Sequence, residues 1–397
     1  MPGVLSGTKV LDLTHYISGP FCTELLSEFG AEVVKVERPG TGEPARHIGP
    51  FFHDEPGIER SGLFMLLNNG KKSITLDLKT VKGKKIFREL VQWADIVVEN
   101  FSYGVMDRLG LGYDKLVRTK PDLIMTSISN FGQTGPYRQF HATEMILLAL
   151  SGVMYLTGPF EKPVKYGLYQ LQYVAGVEAA SATIAAYFAL MSEKGKGDHI
   201  DAAIVEALKN YVNNHGSYYS YMGAIRGRLA KVPDMIDMIV PTRDGYIAPV
   251  FFGYVNWEDF CTMLEAPELN RPEFTDAASR RANRKALLEI LTNKFATLNK
   301  LELCTLAQEW RFSFGVVQTP EEILQSPQLI DRDFFVEIEH PVTGPLRYSG
   351  VPFKMSGSPM QIQGRAPLLG EHNAAVYGQI LGYSAEELKQ LREQRVI

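Results

Sequence analysis

Apolar residues in the first third of the chain fall in short, nearly continuous runs, separated by longer stretches with helical spacing. Thr8 to Leu13, Glu32 to Val36, Ile96 to Val98 and Leu123 to Ile128 are each brief and rich in aliphatic and β-branched residues. Such runs suit strands covered on both faces. Between them, Gly19-Pro20 opens a helix that reaches about Phe29, and Val81 to Trp93 puts Ile86, Leu90 and Trp93 on one side of another. Strands alternating with helices at this spacing predict βαβ units and a parallel sheet. Ligands on such sheets bind beyond the carboxyl ends of the strands, here the loops at 16–20, 37–40, 99–103 and 130–137.

The pattern changes downstream. Val174 to Lys194 reads as one Ala-rich helix ended by Gly195-Lys196-Gly197, followed by a strand from His199 to Ala203 and a further helix. Arg226 to Pro233 is basic and turn-rich, and Thr242-Arg243-Asp244-Gly245 signals a hairpin. Helices are expected around Trp257 and from Asn283 to Phe295, and Gly- and Pro-punctuated strands past Pro341. These shifts predict an α/β protein with a large Rossmann-like domain and a smaller α+β domain. Residues 1–225 form the first part of the large domain, 226–330 a linker and the small domain, and 331–397 a segment returning to the large one.

Composition narrows the function. At 397 residues, 45% hydrophobic and 22% charged, the chain can bury a large core. A net charge of −4 supplies no basic excess for nucleic acid. Lys71-Lys72 and Lys84-Lys85 are short pairs that read as solvated faces. The most apolar window, Met145 to Gly158, is too short to span a bilayer, and no signal peptide is legible. Cys22, Cys261 and Cys304 are far apart without metal-ligand spacing, which suits small core residues in a reducing cytoplasm and supports no metal site.

Six segments carry a more specific message: Gly30 to Gly40 (GAEVVKVERPG), Lys71 to Lys79 (KKSITLDLK), Ala94 to Phe101 (ADIVVENF), Phe131 to Tyr137 (FGQTGPY), Gly195 to Asp198 (GKGD) and Leu368 to Asn373 (LLGEHN). In order and spacing this set resembles the family III CoA-transferases, over nearly the whole chain. The resemblance implies ring-shaped subunits interlocked in pairs, and CoA or acyl-CoA as the substrate. Matching positions imply that Ile17 and Ser18 face the thioester, Arg38 meets the nucleotide end, and Leu76 and Lys79 line the adenine and phosphate region. Asn100 and Phe101 would touch the pantetheine arm and Arg108 a phosphate, while His141 falls where some members carry a Lys. For the lone cations the plain alternative is a solvated surface charge. The family's usual Arg-Pro after Asn-Phe is replaced here by Ser102-Tyr103.

The resemblance also implies an Asp nucleophile, which attacks the thioester and carries the acyl group as a mixed anhydride. This chain has Gln172 there, inside Gly167 to Gly176 (GLYQLQYVAG), a stretch without a carboxylate. A neutral amide cannot form the anhydride, and losing a covalent nucleophile costs on the order of 10⁶ in rate, roughly 8 kcal/mol. Glu144 matches a position on the active-site wall, where it would assist or be merely structural. Related racemases use a His–Asp pair, but Thr143 and Gln172 stand at those places. Three readings follow. The first is the nucleophile-free subunit of a hetero-oligomer whose homologous partner supplies the Asp, acting on an aryl-succinate with succinyl-CoA as donor, as in the heteromeric benzylsuccinate CoA-transferases of the family. The second is a self-sufficient enzyme with altered chemistry using Glu144, and the third a non-enzymatic CoA-binding protein. Tyr166, Tyr169 and Tyr173 near Gln172 suggest an aryl pocket or ordinary packing.

Overall fold

The computed structural model describes residues 2–158, 162–192, 195–225, 227, 239–250 and 256–397. The basic stretch from Arg226 to Pro233, where the linker was expected to begin, lies outside them except for Gly227. The chain divides into two compact units, one of Met1–Arg228 with Arg332–Ile397 and one of Leu229–Asp331.

The first unit is built on six parallel strands: β1 (Lys9–Asp12), β2 (Glu32–Glu37), β3 (Lys72–Thr75), β4 (Ile96–Glu99), β5 (Ile124–Ser129) and β6 (Asp198–Ala203), in the order β3-β2-β1-β4-β5-β6. Consecutive apolar residues point to opposite faces and both faces are covered, which explains the unbroken runs. Val10, Val33, Ile96 and Ile124 enter one core, beneath α1 (Ser18–Glu28). Leu11, Val34, Val97 and Met125 enter the other. Past the short α2 (Gly62–Leu67), that second face is covered by α3 (Val81–Trp93), whose Ile86, Phe87, Leu90 and Val91 are buried.

After β4 come α4 (Val105–Leu109) and α5 (Tyr113–Leu116), and after β5 come α6 (Glu144–Leu150), α7 (Val153–Leu156) and the 22-residue α8 (Gln170–Met191). It is α8, rather than the 145–158 window, that is long and apolar enough to cross a membrane by composition. Here it packs on α1 through Ala175, Gly176 and Ala179. A Cβ on Gly176 would lie 2.7 Å from the Ser18 carbonyl oxygen, so the two helices approach too closely for any side chain there.

The 370–373 segment seals the outer edge of β3. His372 N–H donates to the Ser73 carbonyl at 2.9 Å, and Asn373 Oδ1 accepts the Thr75 N–H at 2.8 Å while its Nδ2 donates to Thr75 Oγ1 at 2.8 Å. The end of the chain follows it into the core, where Val396 and Ile397 are buried.

The second unit carries a three-stranded antiparallel sheet of β7 (Val240–Thr242), β8 (Gly245–Val250) and β9 (Ser313–Val317). Its hairpin turns at Arg243-Asp244, and its core gathers Phe260, Phe274, Leu287, Leu291, Phe295 and Phe314.

Ionic groups are buried at the carboxyl edge of the large sheet. Lys71, expected to be solvated, is buried: its Nζ reaches Asp12 Oδ2 at 3.1 Å, the Pro20 carbonyl at 2.8 Å and Asn68 Oδ1 at 2.9 Å. Lys35 Nζ lies 3.6 Å from the same Asp12 oxygen and donates to the Thr14 carbonyl at 2.8 Å. Burial alone would raise the Asp12 pKa, yet Lys35, Lys71 and the Thr14 and Thr23 hydroxyls hold it well below the usual carboxylate range. Beside this group, Arg46 grips Glu37 through Nε at 2.7 Å and Nη2 at 2.8 Å. Asp12→Ala would leave two ammonium groups buried without their shared counterion, and is expected to cost about 3 kcal/mol in urea unfolding; a loss below ~1 kcal/mol would contradict this account.

Candidate active site

The loops at the carboxyl ends of β1, β4 and β5 and the first turns of α1, α6 and α8 enclose a cavity of about 730 Å³. On the β1 side, Tyr16 adopts a left-handed backbone (φ 65°), which costs on the order of 1–3 kcal/mol and persists only where neighbours enforce it. They do so here. Asn100 Oδ1 accepts the His15 N–H at 2.7 Å, its Nδ2 donates to the His15 carbonyl at 2.8 Å, and Tyr16 N–H donates to Glu43 Oε2 at 3.1 Å. Asn100 lines the cavity but spends both polar ends on this loop. Phe101 stands edge-on to His15 at 5.1 Å. Burial, with Lys35 nearby, pushes the His15 pKa down to about 4, so the ring is neutral at pH 7.

Gln172 lies in the first turn of α8 and lines the cavity. The helix starts four residues before the expected Val174 because its first turn has a distant partner: Leu171 N–H donates to Glu144 Oε1 at 2.9 Å. No local pattern reveals a cap supplied 27 residues away. Burial raises the Glu144 pKa, opposed by that N–H and by the adjacent Gln172. Glu144 Oε2 is buried without a hydrogen-bond partner among the described residues, as are Ser18 Oγ and Ser129 Oγ, and all three residues line this cavity.

The cavity's cations are Arg108 and Arg138, both exposed, and the exposed His141 lines the same cavity. Arg138 lies over the Tyr103 ring at 5.0 Å and donates to the Gly135 carbonyl at 3.4 Å. It brings a guanidinium to the loop where Ser102 and Tyr103 replace the usual Arg-Pro. Its position, directly after Phe131 to Tyr137, was the available signal, as was the polar end of β5 for Ser129.

Arg38 and Lys79 are exposed on the loops after β2 and β3, on the same carboxyl edge but outside the cavity lining. The Leu76 side chain belongs to the buried core rather than to an open slot. Of the three tyrosines near Gln172, only Tyr169 lines the cavity; Tyr173 packs edge-on against Phe21 at 5.0 Å, and Tyr166 is exposed. The aromatic lining comes instead from Tyr16, Phe101, Tyr103 and Phe140. Among the described residues no group of three or more His, Cys, Asp or Glu is placed to hold a metal ion.

A cavity at a parallel sheet's carboxyl edge, lined by two exposed guanidinium groups and by buried polar atoms without partners, suits an anionic ligand. The profile of CoA-transferase family III matches residues 5–373, and the chain belongs to that family. It is 35% identical over 382 residues to a succinyl-CoA:mesaconate CoA-transferase of Haloarcula hispanica, covering 94% of this chain and 95% of that one. Identity is 31% over 397 residues to the human succinyl-CoA:glutarate CoA-transferase (99% and 90% covered). It is 32% over 420 residues to a formyl-CoA:oxalate CoA-transferase of Streptomyces avermitilis, with both chains fully covered. A CaiB/BaiF family protein from Brucella suis superposes with a TM-score of 0.87 at 28% identity, over 96% of this chain and 100% of that one.

Arg108→Ala is expected to weaken CoA binding about tenfold by calorimetry, the scale of one lost charge-assisted hydrogen bond. Arg38→Ala should behave likewise; an unchanged Kd would remove Arg38 from the nucleotide end.

Proposed function

We propose that this chain is the nucleophile-free subunit of a hetero-oligomeric, cytoplasmic CoA-transferase, interlocked with an Asp-bearing homologue that performs the covalent step. The observation that supports this reading is Gln172, which lines the cavity and stands where the family resemblance implies the Asp nucleophile. Its amide oxygen has no lone pair basic enough to displace CoA and yield an anhydride, so acyl transfer needs a carboxylate from elsewhere. The need for a partner is supported by apolar side chains left in water: Val177, Phe188 and Met191 on α8, and Tyr219, Tyr221 and Met222 near the end of a following helix, Lys209–Met222. Large apolar side chains exposed along a helix support a reading in which another chain covers them.

For the substrates, three of the relatives above and below carry succinyl-CoA in their names, with dicarboxylic acids as the other reactant, including succinyl-CoA–D-citramalate CoA-transferase of Chloroflexus aurantiacus. Succinyl-CoA is accordingly the donor in this reading. The aromatic lining of Tyr16, Phe101, Tyr103, Phe140 and Tyr169 favours an acid with an aryl group, such as an aryl-succinate.

A second reading is a self-sufficient enzyme with altered chemistry that uses Glu144 as a base, favoured by its unpartnered Oε2. Against it, one oxygen is fixed by Leu171 and burial favours the neutral form, which accepts no proton. A third, CoA binding without turnover, keeps the same cleft. Exchange of CoA between succinyl-CoA and aryl-succinates separates the three: activity only after mixing with an Asp-bearing homologue supports the first, activity of the chain alone the second, and binding without turnover in either case the third. Gln172→Asp should introduce a slow transferase activity and a trappable acyl adduct on the new side chain by mass spectrometry. An adduct on the unaltered, partner-free chain would overturn the proposal.

A further inference from the structure

One carboxylate of the buried ionic cluster reaches the cavity wall through a backbone hydrogen bond. Glu43 lies just before the 3₁₀ turn Pro44–His47, and its side chain is wholly shielded from solvent. Glu43 Oε2 accepts the N–H of Tyr16, the left-handed residue that lines the cavity, at 3.1 Å. Glu43 Oε1 accepts from Asn68 Nδ2 at 3.5 Å and lies 3.7 Å from Lys35 Nζ. In all these contacts the two oxygens face donors. A proton on either oxygen would therefore displace a partner, the strained loop on one side or the Lys35 and Asn68 donors on the other. The ionised group fits this site and the neutral one does not.

The surrounding charges set where that change of form falls. They are Asp12 on β1, Lys35 and Glu37 on β2, Arg46 in the 3₁₀ turn and Lys71 ahead of β3. Burial raises the Glu43 pKa to about 7; Lys35 opposes the rise, Glu37 and Asp12 add to it, and Lys71 opposes it more weakly. Asp12 and Glu37 are held below their ordinary values, and Lys35 and Arg46 above theirs. Glu43 is thus the carboxyl group of this cluster that changes charge between about pH 6 and 8. Burial also lowers the Lys71 pKa, but Lys71 donates to Asp12, Pro20, Thr23 and Asn68 rather than to the Tyr16 loop.

We propose that Glu43 is a positioning residue that holds Tyr16, and with it the Ile17-Ser18 turn, in ligand-ready form only while ionised, so that the cavity loosens and CoA is held less tightly as the medium acidifies. Glu43 acts through Tyr16 and touches no ligand itself. A charged acceptor binds an N–H roughly twice as strongly as a neutral one, and a left-handed non-glycine residue relaxes once its restraint weakens. Asn100 retains His15 in either state, which confines the loosening to Tyr16 and the residues after it. The proposal needs the CoA cleft common to all three functional readings and is independent of which chain carries the nucleophile.

The test is hydrogen exchange of the full chain without ligand, read by mass spectrometry at about pH 6 and pH 8 and corrected for the intrinsic exchange rate at each. The peptide containing Tyr16 should gain about tenfold in protection from the lower pH to the higher, while a peptide from the core of β1 stays constant. Glu43→Gln, which sets a permanent NH₂ donor beside an oxygen, should show the lower protection at both pH values. Calorimetry with CoA then compares the two proteins, and their Kd ratio cancels the titration of CoA's own phosphate. That ratio should be near one at the lower pH and about tenfold at the higher. Tyr16 protection that ignores pH would overturn the proposal, and that measurement decides alone if the variant does not fold. A variant that keeps the original pH dependence would move the effect to Lys71 and also overturn it, as would an unchanging Kd ratio or CoA that does not bind. An acyl adduct on the unaltered chain would instead overturn the nucleophile-free reading and leave this one standing.

Discussion

Three neighbouring strands of the large sheet carry or adjoin buried charge, and the loops above them take their shape from how those charges are paired. Asp12 closes β1, Lys35 and Glu37 sit in β2, and Lys71 precedes β3, all buried. Withdrawing such groups from water costs several kcal/mol each, which is recovered only when partners and remaining donors are all satisfied. Asp12 meets this condition with two ammonium groups and two hydroxyls, and Glu37 with the guanidinium of Arg46 and the Ser73 hydroxyl at 2.6 Å. Because Lys35 also holds the Thr14 carbonyl, the direction of the chain into His15, Tyr16 and Ile17 follows from the ionic cluster. The cavity wall is therefore shaped by interactions that touch no ligand.

The strained Tyr16 shows how that arrangement extends outward. Its backbone conformation is imposed by Asn100 from the neighbouring strand and by Glu43 from the loop beyond β2. A residue expected from the family resemblance to meet the ligand thus spends its polar atoms on holding the segment that does. Arg138 illustrates the complementary case, since a surface cation gains a fixed position by lying on Tyr103.

Much of the large sheet was legible before any coordinates. The runs at Val10-Leu11, Val33-Val34 and Ile96-Val97-Val98 have no polar alternation because both faces of the sheet are covered, and α3 begins and ends where its apolar spacing does. What periodicity missed was set at a distance. The early start of α8 depends on Glu144, and the burial of Lys71 on Asp12, 59 residues earlier. The tyrosines near Gln172 divide between lining and packing for a simpler reason: on a helix, Tyr173 points about 100° away from Gln172, toward Phe21 instead of the cavity that Tyr169 lines. The motif at 368–373 was visible as a family signature, but its structural task, sealing an exposed sheet edge, was not.

That seal has a bearing on how the molecule is made. Thr75 waits for Asn373, 298 residues later, and at about 5–20 residues per second a ribosome needs roughly 15–60 s to supply it. Throughout that interval the outer strand of the nascent sheet has unsatisfied backbone groups, a template for pairing with the wrong chain. The outer strand of the large unit is consequently completed only once residue 373 has been made, long after the rest of its sheet.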